Sequence, residues 1–335
     1  MSPPPTMQVL FIDQAEAPFA RRTVAVPSPA AGQVLVRIAA SGVNPLDAKI
    51  RAGQAAHARH PLPAVLGIDM AGTVVALGED VGNFQVGDEV FGMTGGVGGI
   101  QGSLAEYAAV DARLLARKPA TLALREAAAL PLVFITAWEG LVDRARVGPG
   151  KKVLVHGGAG GVGHMAVQLA KAQGATVFAT VAADDMAAVE RLGATPIDYR
   201  RQPVDAYVQE HTGGEGFDIV YDTVGGAVLD TSFAAARPYH GHVVSCLGWG
   251  SHALAPLSFR GATYSGVFTL LPLLTGTGRA HHGEILTAAA RLTEARQLRP
   301  KLEARRFDLS SVGEAHALVA SGSSRGKVVV DIAAA

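Results

Sequence analysis

The stretch from residue 151 to residue 171, KKVLVHGGAGGVGHMAVQLAK, decides the fold of this chain. An apolar segment at 153–155 runs into a turn dense in glycine, and apolar residues at helical spacing follow that turn. The spacing Gly158-x-Gly160-x-x-Gly163 matches the dinucleotide-binding fingerprint. In that motif one glycine makes the turn, one lets a pyrophosphate approach the backbone and one lets the helix pack on the strand. The pattern therefore predicts the strand, turn and helix of a Rossmann unit.

The helix that this turn opens offers its first backbone amides to a ligand. Gly161 and Val162 fall in its first turn, where N–H groups have no partner inside the helix and the helix dipole favours an anion. We therefore expect these two residues, with Gly158, Gly160 and Gly163, to hold the pyrophosphate of a dinucleotide.

Composition limits the other classes of function. The 335 residues suffice for two domains with sizeable cores, and 29 Lys and Arg balance 29 Asp and Glu, so no net charge favours nucleic acid or an anionic membrane. The best apolar run, at 127–138, contains Pro131 and is too short to span a bilayer, so it predicts a buried helix. The N-terminus lacks the basic start and apolar stretch of a signal peptide. These features predict a cytoplasmic protein without nucleic-acid or membrane partners.

The single cysteine, Cys246, excludes a disulfide framework within the chain and any multi-cysteine zinc site. It lies in the apolar segment 243–247, which predicts a buried and unreactive thiol.

The pattern of predicted secondary structure changes near residue 128. Before it, short apolar segments separated by Gly, Pro, Asn and Asp predict a small β-rich barrel or sandwich. After it, strands alternate with helices, which is the doubly wound α/β pattern. The strands predicted in this second part are at 152–155, 176–181, 217–223, 241–247 and 264–268. The helices predicted between and after them are at 163–173, 185–192, 227–237 and 284–294.

Several segments outside the glycine turn carry further motifs in a fixed order. They are SGVNPLDAKIRAG at 41–53, LGIDMAGTV at 66–74, VGDEVFG at 86–92, GSLAEY at 102–107, LVFITAW at 132–138 and FDIVYDTVGG at 217–226. Together they resemble the zinc-free quinone oxidoreductase branch of the medium-chain dehydrogenase/reductase superfamily, over nearly the whole chain. The resemblance implies a GroES-like catalytic domain at 1–127, an inserted Rossmann domain at 128–271 and a C-terminal return to the catalytic domain at 272–335. It also implies a homodimer, with cofactor and substrate meeting in a cleft between the domains.

The chain departs from the zinc-dependent members of this superfamily. They carry a cysteine at or near Ser41 and a histidine–glutamate pair where this chain has Ile68 and Asp69, and their four-cysteine lobe is missing here. Since a catalytic zinc needs about three protein ligands, we expect no metal. We interpret the remaining histidines that could be ligands as loop or surface residues: His57, His60, His281 and His282.

The expected lack of a metal predicts a reductase whose acceptors are already electrophilic. Without a Lewis acid, an ordinary alcohol is hard to deprotonate at neutral pH. Hydride addition to a quinone or an α,β-unsaturated carbonyl is easier, because the product is a stabilised hydroquinone or enolate. The enzyme then needs mainly to hold the nicotinamide against the acceptor carbon.

The resemblance implies several residues near the nicotinamide. Asn44 and Thr136 would lie near the ring and its ribose, although Asn before Pro is also a favoured turn residue. Leu247 and Phe268 end predicted strands and would line the pocket, and Asp222 lies near the end of another strand, at the edge where ligands bind.

Lys49 is the candidate for polarising the acceptor. Many quinone reductases of this branch carry a tyrosine at this place, whereas some enone reductases carry a lysine. The ammonium would hydrogen-bond the acceptor carbonyl; the alternative is a solvated charge beside Arg51.

The end of the second Rossmann strand bears on the choice between NAD and NADP. An acid there selects NAD by binding the ribose 2′-hydroxyl, but this strand ends near Thr180 without one. Asp184 and Asp185 come later, where we expect them to cap and open the next helix.

Three residues could contact the 2′-phosphate of NADP. The family's phosphate-binding lysine is replaced by Met186, whereas Tyr199 matches a phosphate-contacting tyrosine, and Arg200 and Arg325 supply cations. These features favour NADPH as the cofactor.

Two other functions stay open at this stage. One is a trans-2-enoyl thioester reductase, whose tunnel would accept a long acyl chain. The other is a non-catalytic, crystallin-like NADPH-binding protein. The sequence does not identify the substrate, because the pocket would be assembled from loops of both domains.

Overall fold

The computed structural model describes residues 3–332 of the chain. Its strands, numbered in chain order, are β1 (Thr6–Ile12), β2 (Ala20–Ala25), β3 (Gln33–Val43), β4 (Ala64–Val65), β5 (Asp69–Leu77), β6 (Glu89–Met93), β7 (Tyr107–Asp111), β8 (Leu115–Arg117), β9 (Lys152–His156), β10 (Thr176–Val181), β11 (Thr195–Asp198), β12 (Ile219–Asp222), β13 (His242–Ser245), β14 (Thr263–Gly266), β15 (Phe307–Asp308) and β16 (Val328–Asp331). Its α-helices are α1 (Pro45–Arg51), α2 (Leu124–Ala127), α3 (Pro131–Trp138), α4 (Gly161–Ala172), α5 (Met186–Arg191), α6 (Val204–Thr212), α7 (Ala227–Ala235), α8 (Ala255–Ser258), α9 (Leu271–Thr275), α10 (Arg279–Glu294) and α11 (Val312–Ala320). Short 3-10 turns lie at Ala56–Ala58, Ala112–Leu114 and Ala183–Asp185, and a π-helical turn lies at Glu139–Arg144.

These elements form two units. The first takes the chain up to Leu132 and again from Leu270 onward, and the second is Val133–Thr269. In the described part of the first unit, a seven-stranded sheet has the order β15-β16-β3-β5-β6-β8, with β7 also paired to β3, and a three-stranded sheet has the order β2-β1-β4. The predicted fold class, a β-rich domain with a doubly wound α/β domain, is confirmed.

Strand β3 brings distant parts of the first unit together. It pairs with β5 and β7, and its end pairs antiparallel with β16, where Val43 lies opposite Val328. The residue directly after β3, Asn44, therefore lies beside the residue directly before β16, Lys327.

The second unit contains a parallel sheet of six strands in the order β11-β10-β9-β12-β13-β14. This is the strand order of dinucleotide-binding folds, numbered 3-2-1-4-5-6 within the unit. β12 is buried along its length and β9 after its first residue, as expected for central strands covered on both faces. The order reverses between β9 and β12, and ligands of such sheets bind at this switch point, outside the carboxyl ends of the strands. The glycine turn follows β9 at this point.

The apolar run at 127–138 forms parts of two helices rather than the single helix predicted. α2 ends at Ala127 and α3 begins at Pro131, because proline has no N–H to donate and suits a first helical turn. α3 continues into the π-helical turn, where a Cβ on Gly140 would lie 2.7 Å from Cζ of the Tyr221 ring. Within residues 3–332, no helix is both long and apolar enough to cross a membrane.

Candidate dinucleotide and acceptor sites

The glycine turn is tied to the neighbouring strand and packed too tightly for side chains. The N–H groups of Gly157 and Gly158 both donate to the carbonyl oxygen of Thr180, each at 3.1 Å. A Cβ on Gly158 would lie 2.5 Å from Cβ of Ala179, and a Cβ on Gly163 would lie 2.0 Å from the carbonyl oxygen of Gly157. Two of the three fingerprint glycines are therefore required by contacts inside the unit.

Gly160 has a different reason to be glycine. It is exposed and forms the N-cap of α4, and the nearest atom to a Cβ there would be the Gly157 carbonyl oxygen, 3.2 Å away. The backbone N–H groups of Gly161, Val162 and Gly163 find no acceptor within residues 3–332. Open amides beside an exposed glycine at a helix N-terminus fit the pyrophosphate of a dinucleotide.

Thr180 and His156 lie next to the glycine turn and are linked to it by hydrogen bonds. The Thr180 hydroxyl lies 3.0 Å from Nδ1 of His156 and accepts the Gly157 N–H at 3.3 Å. Burial lowers the pKa of His156 to about 4, although the nearby Asp222 raises it, so the ring is neutral at physiological pH. Its buried Nε2 has no hydrogen-bond partner in the described structure. The Thr180 hydroxyl thus holds the turn.

Tyr199 and Arg200 follow β11, the strand beside β10, and Asp198 at its end is paired in register with Val181. Tyr199 is half exposed, and the Arg200 guanidinium lies 5.7 Å from the centre of its ring. The Asp198 carboxylate accepts the Arg200 N–H at 3.0 Å. This arrangement presents an aromatic hydroxyl and a cation next to the carboxyl end of β10, where the ribose lies in such folds.

The two acids after β10 lie where the sequence predicted them, at the start of the next helix. Asp185 occupies the N-cap of α5, and Asp184 lies exposed in the preceding 3-10 turn. The Asp185 side chain makes no capping hydrogen bond, because the 3-10 turn already provides a helical start for α5.

Asp222 has both carboxylate oxygens engaged within the second unit. Oδ1 accepts the N–H groups of Val224 and Gly225 at 3.0 and 2.9 Å, and Oδ2 accepts the Ser245 hydroxyl at 2.7 Å. The side chain is fully buried. It orders the turn after β12, at the same sheet edge as the glycine turn.

The other predicted cofactor-binding residues lie apart along the chain. Leu247 follows β13, and its N–H donates to the Ser245 hydroxyl at 3.1 Å. Phe268 follows β14, and its ring packs edge-on against Trp249 with centroids 6.1 Å apart. Thr136 is buried in α3. Arg325 is exposed in the first unit, between α11 and β16.

Lys49 is an exposed residue of α1, and its ammonium makes no hydrogen bond or ion pair with any residue in 3–332. Its neighbour Arg51 is engaged elsewhere, with its guanidinium 5.0 Å from the centre of the Phe19 ring. The Lys49 ammonium is therefore available to a ligand. Ile50, the next residue, lines a cavity of about 420 Å³ in the first unit.

The residues that line this cavity are mostly apolar. Its lining includes Ile50, Ala55 and Leu62, with Arg59 and His60 as the basic side chains. Its size lies within the range of small-molecule sites. An apolar acceptor fits such a lining. Lys49 precedes Ile50 on α1 but is not itself a lining residue.

A buried polar cluster lies where β3, α1 and β16 meet, and it contains two residues that sequence analysis did not select, Asp47 and Lys327. The Asn44 side chain donates to Oδ2 of Asp69 at 2.9 Å and accepts from the Lys327 ammonium. Burial raises the pKa of Asp69 to about 6 and that of Asp47 to about 7, and the Lys327 ammonium lowers both. A lone lysine in the apolar segment 326–332 was the signal that could have pointed to this cluster.

No group of three or more His, Cys, Asp or Glu side chains within residues 3–332 is placed to hold a metal ion. His282 is fully buried in α10, so the interpretation of it as a loop or surface residue is wrong. Burial raises the pKa of the Cys246 thiol to about 12, and little thiolate forms at neutral pH, which agrees with the predicted unreactive thiol.

Comparison with known proteins defines the class. Family models for an alcohol dehydrogenase GroES-like domain and for a zinc-binding dehydrogenase match residues 30–120 and 192–330. The chain is 36% identical to a 2-methylene-furan-3-one reductase of Solanum lycopersicum and 34% identical to a chloroplastic NADPH-dependent alkenal/one oxidoreductase of Arabidopsis thaliana, in each case over 92% of this chain and 74% of the relative.

Solved structures indicate the same class of protein as the family models and the sequence relatives. An alcohol dehydrogenase superfamily protein from Novosphingobium aromaticivorans has 58% identity and a TM-score of 0.96, with 98% of this chain and 100% of that chain covered. The quinone oxidoreductase from Coxiella burnetii has 30% identity and a TM-score of 0.82 with the same coverage. The chain therefore belongs to the medium-chain dehydrogenase/reductase superfamily, in the branch of the enone and quinone oxidoreductases. It is an oxidoreductase of the type that binds NAD(P)H.

Proposed function

We propose that this protein is a zinc-independent, NADPH-dependent reductase of enones and quinones. The observation that carries the proposal is the exposed Lys49 ammonium on α1, which has no partner among the described residues. When bound, the reduced nicotinamide would supply the hydride. The names of the tomato and Arabidopsis relatives support an activated alkene as acceptor.

The chain's own residues have three tasks in this reaction. The open amides of Gly161 and Val162 bind the pyrophosphate, while the cavity beside Ile50 takes up the apolar part of the acceptor. The Lys49 ammonium donates a hydrogen bond to the acceptor oxygen, on which negative charge develops during reduction. A donor placed there stabilises the transition state more than the ground state. We further propose Asn44, Thr136, Leu247 and Phe268 as cofactor-binding residues.

The test is the loss of NADPH absorbance with a panel of enones, quinones and enoyl thioesters, each measured with and without a strong chelator. We expect enones and quinones to be reduced at the same rate in both conditions. Reduction of enoyl thioesters alone would assign the alternative thioester reductase activity. Tight NADPH binding with no acceptor reduced would indicate a non-catalytic binding protein, and activity lost in chelator would contradict zinc independence.

We predict that NADPH binds several-fold tighter than NADH. No acid ends β10, and Tyr199 and Arg200 stand next to it, where a 2′-phosphate would gain a charge-assisted hydrogen bond worth about 1.5–3 kcal/mol. Arg200→Ala should weaken NADPH binding about 10-fold and leave NADH binding unchanged. Arg201→Ala is the matched control, because Arg201 is exposed and lies 3.7 Å from Asp198. Fluorescence titration with both cofactors measures these affinities, and equal affinities of the wild-type protein would contradict the preference.

We also propose a homodimer formed through β14. This strand ends the described part of the parallel sheet, so one edge of its backbone is unpaired there. Tyr239 and Phe259, which lie beside its start, are 84% and 89% exposed. Sedimentation equilibrium would test the dimer, and a monomer at micromolar concentration would exclude it.

The remaining proposals concern organisation and location. We propose that the catalytic domain comprises 1–127 and 272–335 and the Rossmann domain 128–271, and that the protein is cytoplasmic. Cell fractionation tests the location.

A further inference from the structure

Lys327 is a buried lysine with a defined set of partners. It is 6% exposed and directly precedes β16. Its ammonium donates to Oδ1 of Asn44 and, at 3.3 Å, to the carbonyl oxygen of Val43, and it lies 4.0 Å from Oδ2 of Asp69. The donor atoms thus face the point where β3 ends and α1 begins.

These contacts determine the orientation of the Asn44 amide. Its oxygen faces the Lys327 ammonium and its nitrogen donates to Asp69 at 2.9 Å. The other oxygen of Asp69 accepts the N–H of Leu132 at 2.9 Å. One chain of hydrogen bonds therefore links the starts of β16, α1 and β5 with the start of α3.

The charges of this cluster are interdependent. Asp69 is fully buried, and Asp47 is 1% exposed with an oxygen, Oδ1, that has no partner among the described residues. Burial lowers the pKa of Lys327, whereas the two carboxylates raise it. Removal of the ammonium alone would leave a buried carboxylate without its counter-charge, which is strongly destabilising.

The helix itself does not need this cluster in order to form. The N–H of Asn44, the N-cap residue, is already satisfied by Oδ2 of Asp47 at 2.8 Å, and Pro45 starts the first turn. The Lys327 contacts instead set where the start of α1 lies relative to β5 and β16. Since Lys49 is carried on α1, its position depends on the same contacts.

We propose that Lys327 is a positioning residue that holds the start of α1, through Asn44 and Val43, so that Lys49 reaches the acceptor oxygen. This rests on the proposed function of Lys49. Lys327 does not touch the substrate; it acts through the helix.

The test separates charge compensation from positioning. Lys327→Met should lower the melting temperature and reduce kcat for enones at least about 10-fold. The double variant Lys327→Met/Asp69→Asn removes the buried ammonium and the Asp69 carboxylate, so the melting temperature should return towards the wild-type value while kcat stays low. Recovery of kcat together with stability would show that Lys327 only balances Asp69.

Lys118→Met is the matched control, because Lys118 is a second nearly buried lysine of the first unit and donates to the carbonyl oxygens of Pro119 and Leu122. It should lose stability without loss of kcat.

A double-mutant cycle tests the route through Lys49. In a Lys49→Met background, the pair Lys327→Met/Asp69→Asn should lower kcat by less than about 2-fold, because coupled residues are non-additive. If the loss of kcat from Lys49→Met and the loss from the Lys327→Met/Asp69→Asn pair multiply instead, the proposal is overturned. Hydrogen exchange of the segment 44–52, measured by mass spectrometry, should be faster in the double variant than in the wild type whether or not the protein reduces any acceptor. If no acceptor is reduced, the proposed function fails; unchanged exchange overturns the positioning role by itself.

Discussion

Gly163→Ala should abolish measurable NADPH binding, with a loss of affinity of at least about 100-fold, or about 2.7 kcal/mol. The added methyl group would lie 2.0 Å from the Gly157 carbonyl oxygen and 3.0 Å from Cα of Gly158. Both are backbone atoms that no side-chain rotation can move. The turn and α4 must therefore separate, and the amides of Gly161 and Val162 leave the positions in which they would bind a pyrophosphate. Fluorescence titration measures the affinity, and thermal unfolding should show a destabilisation of about 1–3 kcal/mol.

Two further variants make this result specific. Gly313→Ala is the matched control, because Gly313 also lies at the start of a helix, α11, and a Cβ there would meet nothing within 4 Å. It should bind NADPH like the wild type and be slightly more stable, since alanine favours the helix. Gly160→Val should lose NADPH binding with little loss of stability, because the space beside Gly160 is open in the protein. If Gly163→Ala keeps normal affinity, the glycine turn does not hold the cofactor.

Lys49→Met should lower kcat/KM for enones at least about 10-fold, at the low end of the 10²–10³-fold, or about 3–4 kcal/mol, that loss of one oxyanion donor costs. The expected loss is smaller because water can partly replace the ammonium in this exposed position. Methionine keeps most of the side-chain length, and the Lys49 ammonium has no partner within the described chain. Folding and NADPH affinity should therefore be unchanged. Quinones should be affected less, because the ring stabilises the reduced oxygen. Steady-state kinetics with one enone and one quinone measure the difference.

Arg51→Met controls for the loss of a positive charge on α1. The Arg51 guanidinium lies against Phe19 and, at 3.4 Å, donates to the carbonyl oxygen of Ala17. Its removal should cost some stability but leave kcat/KM for enones within about 3-fold, less than the loss of one oxyanion donor. Equal effects of the two substitutions would show that Lys49 is only one solvated charge among others.

Five of the six strands of the Rossmann unit could be predicted because their signals are local, whereas β11 was not predicted. The helix predicted at 163–173 lies at Gly161–Ala172, and the strand predicted at 176–181 has the same bounds in the structure. Such segments are recognised from the glycine turn and from runs of apolar residues. Short helices with mixed polarity were not predicted. α6 and α11 are examples, and each is fixed by a few buried residues, such as Tyr207 in α6 and Leu318 in α11.

The sequence by itself determined the class of fold and the family, because a glycine fingerprint and an ordered set of motifs depend only on neighbours along the chain. Only the tertiary structure decided how the polar side chains are used. Asn44 and Lys327 meet because β16 pairs antiparallel with the end of β3, across more than 280 residues of chain. The Asp222 carboxylate orders the turn after β12, because it accepts hydrogen bonds from the Ser245 hydroxyl of the neighbouring strand and from two backbone N–H groups of the turn. Contacts of this kind depend on strand pairing and burial, which no local pattern encodes.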